Sequence, residues 1–125
     1  MTENEISKHV VNAAYRVHTE LGPGLLENAY EACLLKELKE VGLNVKSQEI
    51  LPVYYRGDKI ELGYRLDLWI NKKVVVEIKT VSQFDPVHSA QLLTYLKLTE
   101  NKLGLLINFN VPLIKDGIKR VVNNL

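Results

Sequence analysis

Within RLDLWINKKVVVEIKT, residues 65–80, three ionisable side chains, Asp67, Glu77 and Lys79, interrupt two apolar stretches. Carboxylates and ammonium groups are seldom fully buried unless they are paired or bind metal, because losing their water is costly or forces a pKa shift. Side chains on a strand alternate, so Glu77 and Lys79 project to one side while Val76 and Ile78 project to the other. The same counting puts Arg65, Asp67 and Trp69 on one face of the preceding strand. If the short NKK turn brings these faces together, two carboxylates and an amine converge. Close carboxylates repel, and one tends to keep its proton unless a cation intervenes. Magnesium suits such a pair: it prefers hard oxygen ligands, accepts one or two protein carboxylates and keeps waters for substrate phosphates. There it can polarise a phosphate and lower the pKa of an attacking water, with Lys79 positioning or deprotonating that water or neutralising developing charge. A cross-strand salt bridge between Lys79 and one acid would account for the same pattern without catalysis.

The elements that must position these residues follow from the rest of the chain. Ile6, Val10, Ala13, Ala14 and Val17 recur at helical spacing and predict an amphipathic helix ending near Leu21, where GPG stops it. A second helix is expected from Leu25, with Glu27, Tyr30, Leu34, Leu38 and Val41 along its inward stripe and Gly42 as its stop. Counting Gly24 as the N-cap places Glu27 at the third helical position, where a carboxylate also favours the helix dipole. Extended segments follow at about 44–55, 59–70 and 73–80, joined by short turns and therefore antiparallel neighbours. Asp85 and Pro86 open a further helix, KLGLLINF reads as a buried strand and PLIKDGIKRVV as a short terminal helix carrying Lys115, Lys119 and Arg120 on one face. The result is a mixed α/β sandwich, not a regular βαβ repeat.

At 125 residues with 46% hydrophobic and 25% charged content, the chain reads as one folded domain spanning 1–125. A formal net charge of +1 means that any binding to nucleic acid must come from local charge. Cys33 is the single cysteine, which excludes an internal disulfide and a multi-cysteine zinc site. No apolar run is long enough for a membrane helix, and the N-terminal residues lack a signal peptide's cationic start and apolar stretch, so the expected location is the cytoplasm. Neither a phosphate-cradling P-loop nor a serine nucleophile elbow is present, which argues against those hydrolytic chemistries. Tyr54, Tyr55, Arg56 and Lys59 read as a solvated turn flanked by sheet tyrosines.

GLLENAY, residues 24–30, fits a G-x-x-E-x-x-Y signature. Together with GYRLDLWI, VVVEIKT, AQLLTYLKLT and LGLLINFNV, in that order from about Val17 onward, it resembles the GxxExxY family of the PD-(D/E)XK nuclease superfamily. The resemblance implies a restriction-endonuclease-like αβββαβ core with a mixed central sheet, here with an extra N-terminal helix and a short C-terminal one. It implies a Mg2+- or Mn2+-dependent nuclease that hydrolyses phosphodiesters through a metal-activated water, with DNA as the expected substrate. Asp67, Glu77 and the Ile78 carbonyl would then hold the ion, Lys79 would be the catalytic lysine, and Glu27 would bind metal directly or through water. Gln91 and Tyr95 resemble the Q-x-x-x-Y motif of RecB-like nucleases, which implies that they orient the bound strand, with Tyr30 and His88 assisting. Leu66 replaces the proline that gives the superfamily its name, and Ser89 stands where a glutamate is expected, without removing a ligand. A catalytically inert nucleic-acid- or protein-binding module of the same fold is the alternative. So small a domain also leaves room for a partner protein or a homo-oligomer.

Overall fold

The apolar stripe of the first segment forms a helix as its spacing requires. In a computed structural model, which describes residues 1–125 apart from the side chains of residues 61–63, helix α1 (Glu3–Leu21) buries Ile6, Val10, Ala13, Ala14 and Val17. Thr2 and Glu5 open it with a capping box: each side chain accepts the other's backbone N–H, at 3.2 and 3.1 Å. Helix α2 (Glu27–Glu40) starts later than expected. Its N-cap is Leu26, so Glu27 is the first helical residue and not the third counted from Gly24. The reason lies in the GPG loop. Gly24 adopts φ +105°, a conformation L side chains rarely reach, and the Tyr30 hydroxyl accepts the Leu25 N–H at 3.1 Å while donating to the Gly22 carbonyl at 2.6 Å. Tyr30, Leu34 and Leu38 form the buried stripe, but Val41 at its end is exposed.

Five strands follow: β1 (Val45–Tyr55), β2 (Asp58–Ile70), β3 (Val74–Lys79), β4 (Leu103–Asn108) and β5 (Ile118–Val122), with helix α3 (Pro86–Thr99) between β3 and β4. They form one mixed sheet in the order β1-β2-β3-β4-β5, in which only β3 and β4 are parallel. The expected αβββαβ core thus runs from α2 to β4. The terminal helix does not form. Residues Ile114–Gly117 make a single 3-10 turn, and Ile118–Val122 pairs antiparallel with β4. At Gly117 the chain passes so close to the Asn108 carbonyl that a Cβ would collide with it, and the β-branched Ile118, Val121 and Val122 suit the sheet edge that β4 otherwise leaves open. Lys115, Lys119 and Arg120 consequently share no helical face.

Two apolar layers flank the sheet. α1 and α2 cover one face, where Val74, Val76 and Ile78 of β3 meet Leu103, Leu105 and Ile107 of β4. α3 covers the other, where Val75 and Leu106 meet Leu92, Tyr95 and Leu96. In β2 the alternation slips. Leu66 packs in the α3 layer whereas Leu68, two residues on, packs in the opposite one. The two-residue alternation expected through Arg65, Asp67 and Trp69 therefore fails at Asp67. Opposite it, Gln48 of β1 has φ +52° and drops out of the strand pairing that continues at Ser47 and Glu49.

The sheet also splits here. Among the described residues β2 pairs with β3 only over Leu68–Ile70 against Val74–Val76, so most of the β1–β2 hairpin extends past its neighbour. Beyond the split, Asn108 holds the chain leaving β3. Its amide donates to the Val81 carbonyl at 2.8 Å, and its side-chain oxygen accepts the Val81 and Asn110 N–H groups at 3.1 Å each. Asn108 is 2% exposed, so removing its amide strands buried backbone groups. Asn108→Ala should therefore lower stability by roughly 2–4 kcal/mol in urea unfolding, well beyond an ordinary surface substitution.

Candidate active site

Where the β2–β3 ladder ends, side chains take over from carbonyls as hydrogen-bond acceptors. The Asp67 N–H donates to Glu77 Oε2 at 2.8 Å, and the Ile78 N–H donates to Asp67 Oδ2 at 2.8 Å. Asp67 and Glu77 are thus interlocked through each other's strand. Glu77 is 5% exposed and Asp67 half-buried. Lys79 is half-buried at the end of β3, its charge favouring ionisation of both acids, and among the described residues it makes no salt bridge. The cross-strand ion pair weighed from the sequence is therefore not formed. Among the described residues no cluster of three or more acidic, histidine or cysteine side chains forms a ready-made metal cage. The arrangement is instead a carboxylate pair beside an unpaired amine.

An open cleft of about 440 Å³ opens on Asp67, lined by Glu27, Asn28, Glu31, Gln48, Asp67 and Ile78; Glu77 and Lys79 are not among its lining residues. Glu27 reaches across from the first turn of α2, where Oε2 accepts the Thr80 N–H at 3.1 Å. Glu31 and Gln48 were not anticipated. The Gln48 amide donates to Glu31 Oε1 at 2.6 Å and to Asp67 Oδ1 at 3.3 Å. Glu31 lies one turn beyond Glu27 on α2, a spacing that was visible in the sequence. Nothing in the residue type announced the backbone turn at Gln48.

On the α3 side, Tyr95 is 5% exposed and Gln91 exposed, and both line a groove of about 550 Å³ with Tyr64 and Val53 of the hairpin. Burial, followed by the charge of Glu77, pushes the Tyr95 phenol up to about 12, so it stays protonated at neutral pH. His88 serves the helix start: its Nδ1 accepts the Asp85 N–H at 3.0 Å, while the Asp85 carboxylate accepts the Val87 N–H at 3.0 Å. Tyr30 stands apart. It is fully buried, stacked on Phe109 with ring centroids 4.4 Å apart, and its hydroxyl is engaged by the GPG loop. The substrate-orienting role expected for it gives way to a structural one, because the stripe that carries it faces the core.

The family model describing the PD-(D/E)XK nuclease superfamily matches residues 4–121. Among solved structures the fold is similar to the crystal structure of SSO0001, with TM-score 0.57 and 23% identity over 98% of this chain. The chain spans 60% of the length of that protein. No curated protein matches the chain.

The electrostatics of the pair give a pH dependence with a defined sign. Burial, reinforced by the neighbouring Asp67 charge, pushes the Glu77 carboxyl from 4.5 up to about 8, and burial likewise raises Asp67. Between those values the folded protein keeps a proton that the unfolded chain has released, so stability falls as pH rises through the window. Urea unfolding of the metal-free protein should show a decline on the order of 1–3 kcal/mol from pH 5 to pH 8. Glu77→Gln should flatten most of it, and a stability that instead rises with pH would contradict the assignment.

Proposed function

From the premise that this chain belongs to the PD-(D/E)XK nuclease superfamily, we propose that it is a divalent-metal-dependent nuclease hydrolysing phosphodiester bonds, with DNA as its substrate. The observation that carries the reading is the interlocked pair at the sheet split: each acid has one oxygen fixed by the other strand's backbone, which orients its second oxygen. The donor set fits Mg2+ or Mn2+. Both are hard cations that accept carboxylate and carbonyl oxygens, and the burial that raises both acids, with the Asp67 charge that raises Glu77 further, is offset by a cation. Asp67 and Glu77 would hold it. The Ile78 carbonyl, on the same edge of β3 as the N–H bound by Asp67, would add a third oxygen. When bound, the ion polarises the scissile phosphate and lowers the pKa of its water.

The protein's own groups supply the rest. Lys79, without an acid partner among the described residues, holds the attacking water by hydrogen bonding or offsets charge on the phosphate oxygens. Glu27 supplies a further carboxylate at the cleft rim, its Thr80 contact fixing its direction. Tyr95 keeps its proton and so donates a hydrogen bond to a phosphate, while Gln91, exposed on the same helical face, contacts the strand beside it. His88 presents its remaining ring nitrogen one turn earlier. With the net charge near neutral, attraction of a polyanion falls to local cations such as Lys79 and the exposed Arg65.

Labelled single- and double-stranded DNA should be cleaved in the presence of magnesium or manganese. Asp67→Asn and Lys79→Ala should each reduce the rate by at least about 100-fold without loss of folding. Cleavage unchanged by either substitution would overturn the proposal. Metal-linked stabilisation without cleavage of any DNA or RNA would leave a binding module of the same fold.

A further inference from the structure

Gln48 occupies a backbone conformation that its residue type does not favour. With φ +52° it lies in the left-handed region, inside a strand, where glycine or asparagine would be the ordinary solution. Strain of this kind persists only where the surroundings enforce it, and it concentrates at functional sites. The register shows what the distortion does: Ser47 pairs with Leu68 and Glu49 with Leu66, while Gln48 and the opposing Asp67 leave the ladder. Released from it, the Gln48 amide reaches over the cleft to Glu31 at 2.6 Å and Asp67 Oδ1 at 3.3 Å. Since Asp67 Oδ2 is already held by the Ile78 N–H, both oxygens of this acid are fixed, one from each neighbouring strand.

We propose that Gln48 is a positioning residue for Asp67: the left-handed turn in β1 exists to place its amide between Asp67 and Glu31, setting the carboxylate plane and keeping the two acids apart so that Asp67 Oδ1 faces an incoming divalent cation. This rests on the reading of the split as a cation-dependent site. A plain packing role is a poor explanation, since the strand would be better served on conformational grounds by glycine. The outer partners of a ligand commonly govern metal affinity in this way, by fixing the orientation of the group they hold.

The proposal separates affinity from stability, and two variants exploit that. Gln48→Gly accepts the backbone conformation and removes the amide; Gln48→Asn also tolerates it but is too short to span both acids. Binding of Mn2+ alone would be measured by the loss of the free-ion electron paramagnetic resonance signal, and folding by thermal unfolding of the metal-free protein. Wild-type protein should bind Mn2+ saturably. Gln48→Gly should unfold at the same temperature or higher, yet bind Mn2+ about 10-fold or more weakly, with Gln48→Asn weakened in the same direction. Both variants binding within twofold of wild type would overturn the role of Gln48 while leaving the cation site intact. Wild-type protein that binds no Mn2+ would instead remove the cation site itself, and this proposal with it.

Discussion

The structure turns on an exchange of acceptors at the end of one strand ladder. Where β2 and β3 part, the N–H groups of Asp67 and Ile78 need partners, and they receive the carboxylates of Glu77 and Asp67 in place of carbonyls. A carbonyl would complete the sheet and leave nothing reactive. A carboxylate satisfies the same N–H with one oxygen and retains a second, at the cost of burying charge beside charge. The split is therefore both where the β2–β3 ladder ends and where its two carboxylates meet. The neighbouring devices serve it: Asn108 fixes the chain after β3, the Tyr30 loop sets where α2 begins, and α2 brings Glu27 and Glu31 to the cleft.

Much of this was legible because local physics and tertiary fold agree. The α1 stripe, the Asp85–Pro86 start of α3 and the alternation of β3 each follow from period and capping chemistry, and each survives in the structure. Asp67 and Glu77 stand out in the sequence because charge inside apolar strands demands an account. PLIKDGIKRVV reads as a helix because the five residues after its glycine carry too little periodicity to choose between helix and strand. The deciding influence is the open edge of β4, which lies far away in no local pattern. Gln48 is invisible for a similar reason: a glutamine's residue type does not announce a left-handed backbone angle inside a strand.

The G-x-x-E-x-x-Y stretch divides its labour in a way its pattern alone conceals. Gly24 supplies a turn that other residues avoid, Tyr30 closes that turn from the core, and Glu27 faces the cleft together with Asn28. A short signature of this kind can record a loop's construction as much as a reaction's machinery, and burial is what tells the two apart.

The unequal lengths of the strands have a mechanical meaning. Beyond the split, the β1–β2 hairpin is a two-stranded ribbon that extends roughly 25 Å past its last support from β3. Ribbons of two strands twist and bend more readily than wide sheets. This one is seated on α3 by Leu51 and Leu66 just beyond Gln48 and Asp67, so its outer end, with the exposed Tyr54 and Tyr55, is the part left free to bend.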